Sequence, residues 1–309
     1  MSKKLIFLPY VHIPGKRTGM NMEGSSNAFH EYCQNLCVAL VSLRHHNPEC
    51  DVALVTNADL SQTYMEILSK QGVIIFPVPY DRFVFPDDYP WSLAFYKLCA
   101  LDAMVQRKDY DYYCYLDIDV VANRPLAEMW QECDHNIMLY DIEHGLQVPN
   151  YVTFLKEISD FDCQSACITH YGGEFFAASR KNAEVFLTEC HKIYDEMTER
   201  NIITTKGDEF IVSLVAARNR HLVKNAGAYI RRFWTGSFRL ISTCYEFDPV
   251  SVLHLPAEKR DGIIKLYRRY ISKGKYPSNS QIYRICHLRR QSGVIRLKTF
   301  IKNLLSSRT

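Results

Sequence analysis

The chain is 309 residues long, 47% hydrophobic and 23% charged, with a net charge of only +3. Those values allow a large core, in one big domain or two modest ones, and argue against disorder or a membrane-integral protein, since no apolar run approaches the length of a bilayer span. The 11 cysteines form no C-x-x-C pair, and Cys99, Cys114 and Cys190 fall within apolar periodic segments, so buried reduced thiols are expected rather than a disulfide framework or a zinc cluster.

The N-terminal MSKKLIFLPYVHIPG has an apolar segment too short, and a Pro-Gly too early, for a signal peptide, which predicts a cytoplasmic chain. Lys4 to Ile13 reads as a first strand, and the stretch to Gly24 as the loop that leaves it. Asn27 to His45 carries Phe29, Leu36, Cys37, Leu40, Val41 and Leu43 at helical spacing. Asp51 to Val55 reads as a second strand with Asn57 at its carboxyl end, Leu60 to Gln71 as a helix stopped by Gly72, and Val73 to Val78 as a third strand. A helix from Trp91 or Ser92 to about Val105 follows a loop marked by Pro86 and Pro90. This βαβαβαβ order predicts an α/β fold with a mostly parallel, Rossmann-like central sheet flanked by helices. Ligands of such sheets lie outside the carboxyl ends of the strands. That rim collects Tyr10, Val11, Asn57 and the segment after the fourth strand.

The fourth strand, Tyr113 to Leu116, is a continuous apolar run suited to the middle of a parallel sheet, and it delivers Asp117 and Asp119 just before the chain must turn. On an extended backbone both carboxylates point to one side and Ile118 to the other. Two like charges on one face need a cation between them. A hard divalent ion bridging to a diphosphate answers that need, because Mg²⁺ and Mn²⁺ take carboxylate and phosphate oxygens together. Further on, Gly172 and Gly173 allow close backbone approach or an unusual φ, as a ligand-contacting strand or a tight turn would require. Asp208 and Glu209 open an apolar helix after Gly207, where acids serve as caps or as a second acidic pair for chemistry.

In their order along the chain these motifs resemble those of nucleotide-sugar glycosyltransferases of the GT-A class. Lys97 in FYKLCALDAM followed by YLDID is similar to glycosyltransferase family 8, and HYGGEFFAASRKNAEVF with GDEFIVSLVAA to family 6, the retaining galactosyl and N-acetylgalactosaminyl transferases. Glu174 stands where family 6 has a small residue, which implies a differently shaped sugar pocket or an added hydroxyl-binding carboxylate. His254 and Lys259 resemble the family 8 element whose His completes the metal shell and whose Lys meets the diphosphate, although Pro256 and Ala257 depart from its pattern. The resemblance implies a GT-A domain over residues 1–257 that moves a sugar from a UDP-sugar to a hydroxyl of a glycan or glycolipid. It implies Mn²⁺ or Mg²⁺ on Asp117, Asp119 and His254. Donor contacts would come from Tyr10, Val11, Asn57, Lys97, Asp117, Ile118, Gly172, Gly173, Glu174 and Lys259. Glu209 and Asp208 would act at the sugar, with retention of configuration. A nucleotidyltransferase or sugar-phosphate enzyme on a similar sheet is the alternative, and a non-enzymatic sugar-binding module the second.

Residues 258–309 differ in composition. Arg260, Lys265, Arg268, Arg269, Lys273, Lys275 and further basic residues far outnumber Glu258 and Asp261, and they interleave with Tyr267, Tyr270, Ile271, Ile295, Phe300 and Leu304. Basic amphipathic helices of this kind suit an anionic membrane surface, so a peripheral location on the inner membrane face is expected. No recognised nucleic-acid motif accompanies the charge, and no nucleic-acid partner is expected.

Overall fold

The computed structural model describes residues 2–16, 27–86, 89, 91–143, 148–162, 168–235 and 250–288. Strands β1 (Lys4–Tyr10), β2 (Asp51–Thr56), β3 (Ile74–Pro77) and β4 (Tyr112–Leu116) lie parallel. They are joined by α1 (Ala28–His46), α2 (Gln62–Lys70) and, after a 3-10 turn at Ser92–Phe95, α3 (Tyr96–Arg107). With β6 (Ile137–Asp141), β7 (Tyr171–Ser179) and β8 (Val223–Asn225) the sheet runs β3-β2-β1-β4-β7-β6-β8, and β7 is antiparallel to both its neighbours. The first strand ends at Tyr10 rather than Ile13. Beyond the Tyr10–Thr56 pair, the His12 amide donates to Oδ1 of Asn57 (2.8 Å) and Nδ2 of Asn57 donates to the His12 carbonyl (3.1 Å), so a side chain takes over the role of a strand partner.

The period-2 alternation of the strands sorts their side chains into two cores. Leu5 and Phe7 of β1, Tyr113 and Tyr115 of β4, and Phe176 and Ala178 of β7 join one cluster with α3, α5 (Pro149–Phe161), α6 (Arg180–Glu199) and α7 (Asp208–Arg218). Ile6, Leu8, Cys114, Leu116, Phe175 and Ala177 join the other, with α1, α2 and α4 (Met129–Cys133). Full burial of both faces explains the unbroken apolar reading of β1 and β4. The described cysteines are buried and free. Among the described residues no helix is long and apolar enough to cross a membrane.

A smaller sheet of β5 (Val120–Ala122), β10 (Val252–His254) and β9 (Ile230–Arg232) stands beside the rim, in the order β5-β10-β9. Buried polar residues of α1 hold it in place. The Ser42 hydroxyl accepts from the Ala122 amide (2.8 Å), Oδ1 of Asn47 accepts from the Leu126 amide (2.8 Å), and Nδ2 of Asn35 donates to the Lys259 carbonyl (2.9 Å). Beyond residue 258 lie α8 (Gly262–Lys273) and α9 (Asn279–Ile285). Their apolar residues Ile263, Leu266, Ile282 and Cys286 pack with Val38, Val121, Phe233, Leu253 and Leu255 in a third core. Most of the apolar stripe of α8 is therefore covered by the protein itself, while Ile271, Lys265, Arg268, Lys273 and Lys275 are exposed. Residues 289–309, including Ile295, Phe300 and Leu304, lie outside the described residues.

Candidate active site

Asp117 and Asp119 lie on the turn between β4 and β5 and not on extended backbone. The turn is held from both sides, by the Asp117 amide donating to the Glu174 carbonyl (3.1 Å) and the Leu255 amide donating to the Asp119 carbonyl (2.9 Å). The second bond places the segment that carries His254 against the pair. Ligand atoms of Asp117, Asp119 and His254 all lie within 4.8 Å of one another. Asp117 is partly exposed, Asp119 is buried, and Ile118 is half-buried against the core.

The cations that sequence reasoning requires beside the pair are present in the chain itself. Nζ of Lys97, from the first turn of α3, stands 3.4 Å from Asp117 and 3.0 Å from Asp208, and Nζ of Lys259 stands 3.1 Å from Asp119. Burial opposes the charge on Lys97, but Asp117 and Asp208 outweigh it and keep the amine protonated. Burial likewise raises the Asp119 carboxyl, yet Lys259 and His254 hold it far below the usual range. For His254 burial lowers the imidazole, and Asp119 (3.3 Å from Nε2) with Glu174 (3.1 Å from Nδ1) more than reverses this, lifting it to about 9.

Two acids form the other end of the cluster. Gly207, at φ +60°, turns the chain into α7 so that Asp208 and Glu209 enter the cavity. Asp208 is buried, and burial pushes its carboxyl up to about 7 against the pull of Lys97. Glu209 stands 2.9 Å from Nε2 of His170 and 3.6 Å from Arg232; these partners overcome the effect of burial and lower its carboxyl. His170 is stacked on Phe154, with ring centroids 4.1 Å apart.

Gly172 and Gly173 are neither a turn nor at positive φ; they begin β7, an antiparallel strand whose amino end therefore reaches the rim formed by the carboxyl ends of β1 and β4. Their faces alternate. A Cβ at 172 would collide with the Glu174 carboxylate, and one at 173 with Asp208, with Nζ of Lys97 at 2.7 Å. The glycines make room for the ionic cluster. Gly173→Ala is expected to displace Lys97 and Asp208 and to cost about 1–3 kcal/mol, the usual range for overpacking, measured as a lowered midpoint in denaturant unfolding.

Glu174 does not offer a carboxylate to the cavity, contrary to the hydroxyl-binding expectation. It is 1% exposed, and its Oε1 accepts from Nε of Arg232 (2.8 Å) and meets Nη2 of Arg232 (2.7 Å) and Nδ1 of His254 (3.1 Å). Its carboxyl sits at about 2, because Arg232 and His254 outweigh the effect of burial. Asn57 is not among the cavity-lining residues and instead fixes the loop after β1. Tyr10, Val11, Lys97, Asp117, Ile118, Asp119, His254 and Lys259 line one cavity with Asp208 and Glu209; its volume is about 350 Å³. Tyr10 packs on Phe29 and Tyr32 at one side.

Arg232, His170, Trp91 and Trp234 also line the cavity, and sequence reasoning did not single them out. His170 adjoins the Gly-Gly segment, and that adjacency was its available signal. Arg232 had none, since it reaches the site only because β9 pairs with β10. Trp91 has φ +61°, a left-handed conformation that costs a bulky residue about 1–3 kcal/mol.

Asp117, Asp119 and His254 fit a divalent cation. Both oxygens of Asp119 are buried without a hydrogen bond of good geometry, despite the nearby Lys259 and His254. In the cluster, Asp117, Asp119, Glu174, Asp208 and Glu209 face the permanent cations Lys97, Arg232 and Lys259. The carboxylates outnumber these cations, and a divalent ion that displaces the proton of His254 adds positive charge where Asp117 and Asp119 lie.

The sequence matches no protein-family profile and no curated protein. The structure is similar to that of mouse xyloside xylosyltransferase 1 in its apo form, with a TM-score of 0.51 and 12% identity, over 84% of this chain and 99% of that one. The seven-stranded, mostly parallel sheet flanked by helices, with its cavity on the carboxyl rim, is a GT-A-like fold shared with that neighbour.

Proposed function

We propose that the protein transfers a sugar from a UDP-sugar to a hydroxyl of a glycan or glycolipid, with the help of Mn²⁺ or Mg²⁺ and with retention of configuration. The observation that carries this reading is the convergence of Asp117, Asp119 and His254 on the ligand-bearing rim of a GT-A-like sheet, with Asp208 and Glu209 in the same cavity. Asp117, Asp119 and His254 would hold the ion, which when bound supplies Lewis-acid neutralisation of the leaving diphosphate. Lys259 and Lys97 stay protonated and donate to donor oxygens from either side of the acidic pair. Tyr10 and Val11 line the base pocket. Glu209, held ionised by His170 and Arg232, faces the reacting carbon, and Asp208 orients hydroxyls. The test is a screen of nucleotide sugars for Mn²⁺-dependent hydrolysis. UDP-xylose belongs among its first members because the structural neighbour is named a xylosyltransferase. No turnover and no metal-dependent UDP binding with any of them would end the reading.

The pairing of His254 has a pH signature. Its folded pKa, about 9, lies above the ordinary 6.5, so the stabilisation from its pairing is complete below pH 6.5 and is lost as pH rises through 9. Metal-free protein is therefore expected to melt at lower temperature at pH 9 than at pH 6.5, with a smaller difference in His254→Gln. Metal affinity should move the opposite way, because a ligating imidazole must give up its proton. It should rise about tenfold per pH unit up to about pH 9, as read by calorimetry with Mn²⁺ and UDP.

The basic segment is proposed to bring the enzyme to the inner face of an anionic membrane. Because α8 spends most of its apolar stripe on the core, its exposed surface contributes lysines and arginines with Ile271 beside them, and the main apolar contribution falls to residues 289–309. Deleting 289–309 is expected to abolish the salt-resistant part of binding to phosphatidylserine vesicles in sedimentation. Failure of the full chain to bind such vesicles even at low salt would remove the membrane proposal.

A further inference from the structure

We propose that Trp91 is the floor of an acceptor subsite, its indole stacking on the apolar face of a pyranose ring whose hydroxyl is presented to the Asp208–Glu209 end of the cavity. The inference rests on the sugar-transfer reading and names the chemical class of its acceptor. Of the three tryptophans in the chain, Trp130 is buried in the core beneath the sheet, whereas Trp91 and Trp234 both line the cavity. Trp91 is 37% exposed and lines the cavity, so part of it is left to water where a ligand can cover it. Its place beside the chemistry is fixed by packing. A Cβ on Gly207, the residue before Asp208, would lie 2.8 Å from the Cβ of Trp91.

Hydrogen bonds hold both the platform and the wall beside it. The Tyr80 hydroxyl stands 2.5 Å from the Ser92 carbonyl, holding the turn that follows Trp91. In the segment that leads to Gly207, Glu157 accepts from the hydroxyls of Thr204 and Thr205 (2.6 Å each) and from the Thr205 amide (3.1 Å), and the Tyr89 hydroxyl accepts from the Thr204 amide (2.9 Å). Thr205 and Lys206 of this wall line the cavity, as does Asn150. A flat aromatic face bordered by a hydroxyl, an amide and an ammonium matches a pyranose, which offers a C–H face and a belt of hydroxyls at once. A lipid chain would make no use of the Asn150 amide and the Lys206 ammonium. A nucleobase could stack on the same indole, and the test separates it from a sugar.

The experiment measures binding of methyl xyloside, methyl glucoside and methyl galactoside to the full chain saturated with Mn²⁺ and UDP, by saturation-transfer NMR and titration, with mannitol as the open-chain control. Trp91→Gly suits the positive φ and removes the indole without straining the backbone, and Trp91→Phe keeps a ring. The expected result is stronger saturation of the ring C–H protons of at least one glycoside in the wild type than of mannitol. Affinity should fall roughly tenfold in Trp91→Gly, be largely retained in Trp91→Phe, and UDP affinity should stay within about twofold throughout. Equal glycoside binding by wild type and Trp91→Gly overturns the proposal, as does failure of the wild type to prefer any glycoside over mannitol. A loss of UDP affinity in Trp91→Gly as large as the loss of glycoside affinity would assign the indole to the base and also overturn it. If the wild type fails to bind UDP with Mn²⁺, the sugar-transfer reading falls and the acceptor assignment with it; UDP binding with indifferent glycosides sinks the platform alone.

Discussion

Asp119→Asn is expected to abolish Mn²⁺-dependent binding of UDP while the protein still folds. Asp119 is 1% exposed and lies between His254 and Lys259, so its carboxylate is fixed where the ion would sit. The amide keeps the volume but removes one negative charge and one anionic ligand oxygen. Removing an outer-shell partner of a metal ligand typically costs 10–100-fold in affinity, and losing the ligand's own charge should cost on the order of a hundredfold or more. Stability should fall as well, because Lys259 loses its partner. Breaking a fully buried pair costs about 3–5 kcal/mol, and Lys259, at 18% side-chain exposure, should lose less because it can turn toward water. Asp117→Asn separates the two effects, since its side chain is 31% exposed and its loss should weaken the ion with little change in melting temperature. Calorimetry with UDP and Mn²⁺ decides the matter: unchanged affinity in both variants would remove the metal role from this site.

Glu209→Gln is expected to lower kcat by about a thousandfold with donor affinity nearly unchanged, the pattern of an interaction used mainly in the transition state. Glu209 is the acid best placed for the reacting face. It lines the cavity, its carboxylate is held by His170 and Arg232, and both partners keep it ionised at neutral pH. Asp208 is less suited to that role, because burial raises it to about 7 and Lys97 occupies it. Retention would use an ionised carboxylate on the reacting face, either through a covalent glycosyl-Glu209 or through same-face attack with Glu209 stabilising the oxocarbenium charge. Proton NMR of the product from an α-linked UDP-sugar tests this. An α-linked product is expected, and a β-linked product would transfer the catalytic burden to a general base activating the acceptor.

The local sequence determined most of the first half of the fold. Continuous apolar runs specify strands buried on both faces, and helical periodicity specifies what connects them. As a result β1 to β4 and their helices occur in the order their residues predict, with the end of β1 displaced by the Asn57 side chain and the start of α3 moved to Tyr96 behind the 3-10 turn. The acidic pairs were legible too, because two carboxylates at a strand end or a helix start are unusual wherever they point. What only the tertiary structure decided is the company these acids keep. β7 enters the sheet antiparallel from far along the chain, and its reversed direction brings Gly172, Gly173 and Glu174 to the rim. β9 pairs with β10 and delivers Arg232 to Glu174 and Glu209. α8 and α9 pack most of their apolar residues against the body of the protein, so their composition alone could not say which surface they would meet. Such pairings are set by packing between segments tens to hundreds of residues apart, and no local pattern encodes them. The sequence by itself determined which groups could do chemistry here; the chain's long-range pairing decided that Glu174 positions His254 and Arg232 rather than binding a sugar, and that the pair at Asp117 and Asp119 already has Lys97 and Lys259 beside it.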